Sequence, residues 1–419
     1  MEPSSSSNNK IERMPPEILS LIFSYLIGKH IKVARQVCRS FNSNASLYLT
    51  DTAIAGSETK SLERFEKFAR HNLFRIAITT VIFSVCSLQY EYTTVNEYYE
   101  DLKLRFRYSK GKIPTLEQCE EHWHDYQNIY NDQAECWHQG DDERRIRDAL
   151  RHMPNVKHLV LSSDAWKMAS HPLHNLWCPP DYEIITPSRD PSGGPWRSSH
   201  GFSIMSSALL SNNIRLHSLS LHEIRLNIDG LHSISFTEKT PEVLRHLRRV
   251  ALYLYVEIFQ DLSWQIKFEK CLSSAKELES LEITSAPSEN RSNLTTLFHT
   301  IWPRLFYLKL QVNIQFDSFI AFCQNHKESL HSLHLQSLCL YGGTWGGLMT
   351  AIRGQLRLTD AWLEDLYEGI AEEKWIRLDS PAEASIFRLS EAEEYLIYGG
   401  DNPFENNTLR LAAYWLWTI

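Results

Sequence analysis

The sequence predicts an α/β chain, with a helical N-terminal module followed by a solenoid of parallel strands and helices. Two observations carry that expectation. Residues 14–41, MPPEILSLIFSYLIGKHIKVARQVCRSF, are a dense apolar helical stretch. Farther on, the unit apolar-x-x-apolar-x-apolar recurs at Leu216-Leu219-Leu221, Leu247-Val250-Leu252, Leu278-Leu281-Ile283, Leu305-Leu308-Leu310 and Leu330-Leu333-Leu335, at steps of 31, 31, 27 and 25 residues. One such unit means little, because leucine is common. Five in succession match the period of a strand plus a helix.

Residues 1–10, MEPSSSSNNK, are polar and predicted to be a disordered tail, with no apolar core of a signal peptide. Pro15 and Pro16 then suit the first turn of a helix, and Glu17 its positive end. That helix is predicted to run to about Leu26. Ile18, Leu19, Leu21, Ile22, Phe23, Tyr25 and Leu26 cover nearly its whole circumference, so it must be buried on two sides. Gly28 breaks it, and a second helix is predicted from about His30 to Asn42. A stretch this short cannot bury enough surface to stand alone. One side can pack on the rest of the chain, and the other calls for a second protein.

These residues resemble the F-box family. The match runs through Met14-Pro15-Pro16-Glu17-Ile18-Leu19, Ile22, Tyr25-Leu26 and Val37-Cys38-Arg39-Ser40-Phe41, with Met14 in place of the family's leading Leu and His30 where an acidic residue usually opens the second helix. The resemblance implies a three-helix module over 11–50 that docks a Skp-type adaptor and, through it, a cullin-based ubiquitin ligase. Carried over by position, the adaptor-binding residues would be Pro15, Ile18, Leu19, Ile22, Leu26, Val37, Cys38 and Phe41.

Residues 51–76 are predicted to be a linker helix, with Leu62, Phe65, Phe68, Ala69, Leu73 and Ile76 at helical spacing. The region 77–419 carries the repeat, with earlier copies at Ile78-Val81-Phe83 and Val156-Leu159-Leu161. Helical segments precede several copies: Ile146–Met153, Phe202–Leu210, Pro241–Leu247, Phe268–Ala275, Asn293–Trp302 and Phe316–His326. The pattern resembles a degenerate leucine-rich repeat lacking the family's Asn/Cys corner. Insertions at 84–145 and 164–201 interrupt it, the first with a helix near Thr115–Trp137, the second a loop dense in Pro and Gly. Beyond Leu340 the period fades. Ile352–Leu358 reads as a strand, Asp360–Glu372 as a helix and Arg410–Ile419 as an apolar cap. An F-box followed by such an array resembles fungal F-box proteins.

The net charge is −8. That argues against a nucleic-acid binder or an anionic-membrane binder, which would be basic. No apolar run reaches the about 18 residues of a membrane span. Eight scattered cysteines predict a reducing compartment, cytoplasm or nucleus.

Alternation along the strands puts one residue in two on an outward wall. On it we place candidate substrate-binding residues His222, Arg249, Tyr253, Glu282, Tyr307, Lys309 and His334, since Tyr and Arg are common anchors; a plain solvated sheet face is the other reading. Cys119, His122, His124, Cys136 and His138 suggest zinc, but their spacing fits no standard site and packing is the preferred reading. Gly342-Gly343-Thr344-Trp345-Gly346-Gly347 lacks the Lys-Ser/Thr of a phosphate loop and reads as a connection. The acidic pairs Asp141-Asp142, Glu372-Glu373 and Glu393-Glu394 read as solvated faces or helix starts. No hydrolase, metalloprotease or dinucleotide motif is present, so neither metal nor cofactor is expected. The chain reads as a non-catalytic substrate-recognition subunit of a Skp–cullin–F-box-type ubiquitin ligase, partnered by adaptor, cullin and an unknown target protein. The alternatives are a scaffold with no ubiquitination role and, more weakly, an enzyme with its site in the 84–145 insertion.

Overall fold

The computed structural model describes residues 14–85, 92–106, 115–162, 198–224, 239–254, 262–285, 297–371, 374–379, 389–404 and 410–412. The chain divides into two compact units, with boundaries inside strand His158–Ser162, at Leu159/Val160, and inside helix Ser198–Ser211, at Ser206/Ser207.

The first unit opens with three helices, α1 (Pro16–Ser24), α2 (Gly28–Ala34) and α3 (Arg39–Ser46). The single second helix predicted over 30–42 is corrected here. Cys38 is extended (φ −159°, ψ 173°), and its Sγ accepts the Phe41 N–H at 3.4 Å, so it caps a separate α3. Leu19, Phe23, Ile31, Ala45 and Leu49 form the buried cluster of these helices, and Phe23 meets Phe41 edge-on at 5.2 Å.

Next come β1 (Thr52–Gly56), α4 (Thr59–Arg70), α5 (Phe74–Ala77) and β2 (Thr80–Ser84). The linker 51–76 therefore holds a strand as well as helix. β1 pairs in parallel with β2, Ala53 opposite Val81 and Ala55 opposite Phe83. Thr50, Ala53 and Ala55 thus occupy the three apolar positions of one more repeat. The buried Thr50 hydroxyl donates to the Thr52 carbonyl at 2.7 Å.

The 84–145 insertion forms α6 (Val95–Phe106) and α7 (Leu116–Gln139), and α8 (Asp141–Leu150) begins within it. Thr115 and Gln118 make a reciprocal capping box, and Gly140 ends α7 at φ 63°. Tyr92, Tyr98, Leu102, Cys119 and Tyr126 give this hairpin its own core. Polar ties join it to the start of α4. The Asp132 carboxylate accepts the Thr59 N–H at 2.7 Å, capping a helix whose own N-cap, Glu58, offers no side-chain bond. Gln133 Nε2 donates to Glu58 at 3.1 Å; burial nevertheless raises the Glu58 carboxyl to about 7. Arg145 on α8 grips Glu66 on α4 through two bonds of 2.9 and 3.1 Å, which hold the Glu66 carboxyl below its ordinary value. β3 (His158–Ser162) and α9 (Ser198–Ser211) follow.

The second unit is built from β4 (Ser218–Ile224), α10 (Thr240–Leu244), β5 (Arg249–Leu254), α11 (Leu262–Leu272), β6 (Ser280–Ser285), a 3-10 turn (Leu297–His299), β7 (Tyr307–Gln311), β8 (Ile314–Gln315), α12 (Phe316–Asn325), β9 (Ser332–Tyr341), α13 (Trp345–Gln355), β10 (Asp360–Ala371), β11 (Lys374–Asp379), α14 (Ser390–Tyr398) and β12 (Arg410–Ala412). β4, β5, β6, β7, β9 and β10 pair in that order, all in parallel. β8 extends the pairing along β9, while β11 and β12 add antiparallel strands. The repeated apolar positions are buried in every copy, including a sixth, Leu358-Ala361-Leu363.

The strand entrances repeat one backbone arrangement. The His217 carbonyl accepts from the N–H groups of Arg248 and Arg249, Arg248 from Glu279 and Ser280, Glu279 from Phe306 and Tyr307, Phe306 from His331 and Ser332, and His331 from Thr359 and Asp360. The first unit has the same rung, with Thr79 and Thr80 donating to Asp51. Each copy thus fixes the register of the next.

Several expectations for the C-terminal part are overturned. Ile352–Leu358 is the end of α13 and the turn after it, and Asp360–Ala371 is strand β10, not helix. Gly342–Gly347 is less a loop than a helix start, where Thr344 Oγ1 caps α13 by accepting the Gly347 N–H. A Cβ on Gly343 would collide with the Phe316 ring, which explains that glycine. Asp142 and Glu393 lie at helix starts, in the first turns of α8 and α14, and are buried there instead of solvated; the Glu393 carboxylate accepts the Leu363 N–H at 2.8 Å and Asp142 that of Glu143. The Pro/Gly-rich segment up to residue 197, the pair at 372–373 and the end of the expected cap lie outside the described residues.

Candidate functional site

α1 turns Leu19 and Phe23 inward and little else. Ile18, Leu21, Ile22 and Tyr25 stay exposed, Tyr25 at 81%. Ile27, Val33 and Val37 continue the exposed set through α2 and the turn after it. Seven of the thirteen exposed large apolar side chains among the described residues fall between 18 and 37. A solvated helix normally shows polar groups on that face, so this concentration is a candidate interaction surface.

The eight adaptor-binding candidates do not share one environment. Pro15, Ile18, Ile22 and Val37 are exposed. Leu26 and Phe41 are half-buried and pack on the module's own core. Cys38 is half-buried and occupied as the cap of α3. Leu19 is withdrawn altogether. At 1% exposure it belongs to the core, because it lies one turn from Phe23 on the face that meets Ile31 and Ala45. Leu21, Tyr25, Ile27 and Val33 were not among the candidates. A helix apolar all round gives no direction, so sequence periodicity could not sort inner from outer residues.

The strand wall is a face of the second unit. Register aligns Arg249, Ser280, Tyr307, Ser332 and Asp360 in one row, and Ala251, Glu282, Lys309, His334 and Trp362 in the next. Arg249 is exposed; Tyr253, Glu282, Tyr307, Lys309 and His334 are half-buried. His222 lies in β4, its side chain outside the described residues. Ser332, expected outward, is 4% exposed because its hydroxyl donates to Asp360 Oδ2 at 2.6 Å.

A chain of hydrogen bonds crosses this wall. His334 Nε2 stands 2.7 Å from Asp360 Oδ2, and Nδ1 stands 3.3 Å from the Tyr307 hydroxyl. The carboxylate requires a donor, so the ring proton sits on Nε2 and Nδ1 accepts from Tyr307. Burial, with Glu282 and Asp360 adding to it, pushes the Tyr307 phenol up to about 12. On β10, Glu364 Oε2 accepts from both Gln336 Nε2 and Trp362 Nε1, and Asp365 from Tyr367 and Ser337. Sequence reading missed Asp360, Trp362, Glu364, Asp365 and Tyr367 because it took β10 for a helix. The constellation offers aromatic rings, an imidazole and carboxylates on one face.

The Cys/His group on α7 does not converge. Cys119 and Cys136 are seventeen residues apart on one helix, about 25 Å at 1.5 Å per residue. Cys119 packs in the aromatic core and Cys136 lies 3.2 Å from the Thr59 hydroxyl. Burial raises both thiols above their ordinary value. Among the described residues, no group of three or more His, Cys, Asp or Glu side chains could hold a metal ion, and no helix is long and apolar enough to cross a membrane.

Residues 11–49 match the F-box-like family model. That range contains α1, α2, α3 and the whole exposed apolar set. No curated protein matches the chain.

Proposed function

With the F-box-like match at residues 11–49 as premise, we propose that this protein is a substrate-recognition subunit of a Skp–cullin–F-box-type ubiquitin ligase. The exposed apolar set on the first two helices is the observation that supports it most. Ile18, Leu21, Ile22, Tyr25, Ile27, Val33 and Val37 are the face for a Skp-type adaptor, with Pro15 at its edge. Leu26, Cys38 and Phe41 shape that face from behind, and Leu19 holds the module together. The strand wall receives the target protein, through Arg249, Tyr253, Glu282, Tyr307, Lys309 and His334 and the acidic and aromatic side chains of β10. His222, in β4, is proposed with them from the alternation of the sequence alone. The subunit does no bond chemistry. It raises the local concentration of target lysines near a conjugating enzyme carried elsewhere in the assembly. The parallel sheet of repeated units is a degenerate leucine-rich array in this reading, and the compartment is cytoplasm or nucleus.

The test is a double variant, Ile22→Asp with Val33→Asp, expressed with adaptor and cullin. Both positions are exposed, so thermal unfolding of the chain should move little, within about 0.5 kcal/mol per site. Adaptor and cullin should vanish from the pull-down. Retained adaptor rejects the proposal, and adaptor retained by the parent chain without cullin points to a scaffold instead. Leu19 is unsuited to this experiment, because a charge there would unfold the module.

A further inference from the structure

We propose that a cavity behind α3 binds a phosphate group. The cavity has a volume of about 380 Å³ and is walled by Arg35, Arg39, Asn42, Ser43 and His71, with Phe74 among its apolar residues. Every ionisable group in that wall is a cation or an imidazole; no carboxylate lines it. In a chain of net charge −8 this is a local reversal of sign.

The donors are arranged, not merely present. Arg35 Nε donates to Asn42 Oδ1 at 3.0 Å, which fixes the guanidinium and leaves its terminal nitrogens for a ligand. Arg39 has no hydrogen-bond or ion-pair partner among the described residues. His71 Nδ1 accepts from the backbone N–H groups of Leu73 and Phe74 at 3.3 and 3.4 Å. The neutral ring must therefore carry its proton on Nε2, which makes it a further donor. The ring itself is held by stacking on Phe74 at 4.3 Å.

Two guanidiniums, an imidazole N–H, an amide and a hydroxyl are more donors than one carboxylate can use. They suit the several oxygens and double charge of a phosphate monoester. The cavity is also too large for a bare phosphate, which leaves room for its carrier. That carrier is either a phosphorylated side chain of a protein or a small phosphorylated molecule. The cavity shares no lining residue with the proposed adaptor face, and its proposal does not rest on that reading.

The experiment is calorimetric titration of the full chain with inorganic phosphate, near neutral pH and at low salt. Saturable binding is expected, and Arg39→Ala should weaken it about tenfold or more, the worth of one charge-assisted contact. The Arg39 side chain makes no hydrogen bond or ion pair among the described residues, so this variant is expected to stay folded, which its thermal unfolding checks; Arg35→Ala is the second arm. No saturable binding, binding unchanged in both variants, or acetate binding as tightly as phosphate would each overturn the proposal. A phosphoserine peptide binding more tightly than phosphoserine itself supports it with a protein as the source. Equal affinity supports it with a small molecule as the source.

Discussion

The His326 ring is 1% exposed and makes two hydrogen bonds of opposite sense. Nδ1 donates to the Phe322 carbonyl at 2.8 Å, and Nε2 accepts the Trp302 N–H at 3.0 Å. Burial lowers its basicity, with the Phe322 bond opposing. Protonation would set an N–H against the Trp302 N–H and leave a charge in the core. The folded pKa lies below the unfolded one, so the stabilisation is complete above the ordinary histidine value near 6.5. It is lost as pH falls through the lowered folded value. His326→Gln should therefore lose less stability than the parent between neutral and mildly acidic pH, as thermal unfolding at both conditions would show. Leu19 gives the complementary lesson about single residues. Its apolar type was legible, but its inward direction was set by Phe23, Ile31 and Ala45, which no local pattern announces.

At the scale of elements, α13 carries two glycines with opposite consequences. A Cβ at Gly343, just before the Thr344 cap, collides with the Phe316 ring. At Gly354, inside the helix, a Cβ meets nothing within 4 Å. Gly343→Ala should cost about 1–3 kcal/mol through overpacking, whereas Gly354→Ala should add up to about 1 kcal/mol from helix propensity. Denaturant unfolding of both variants measures this, and equal effects would contradict it. The repeat strands were legible because Leu, Ile and Val sit at all three inward positions. β1 was not, because Thr50, Ala53 and Ala55 fill the same positions without the apolar signature. β10 failed for a different reason. Asp365 has a left-handed φ of 53°, so Leu363 and Leu366 are both buried although three residues apart. A spacing of three fits helical periodicity and breaks strand alternation, so the local pattern does not announce a strand.

For the molecule as a whole, the α/β class and the helical front followed from the residues, because period and composition are local quantities. The partition of apolar surface between core and exposed face, the ties of the α6–α7 hairpin to α4, and the gathering of Arg35, Arg39 and His71 round one cavity were not legible. Each joins residues that the chain keeps apart. The left-handed step of β10 is matched in its neighbour, where Ser337 has φ 44° and its hydroxyl donates to Asp365 Oδ2 at 3.1 Å. Gln336 faces Glu364 before the step and Leu338 faces Leu366 after it. Two adjacent rows thus carry the same extra letter at the same column. Deleting Ser337 alone would bring Leu335, Leu338 and Leu340 into strict alternation but leave Asp365 unmatched in β10, shifting every later pairing by one residue. Deleting Ser337 and Asp365 together should restore soluble, cooperatively unfolding protein, so this stretch can be lengthened or shortened only in pairs.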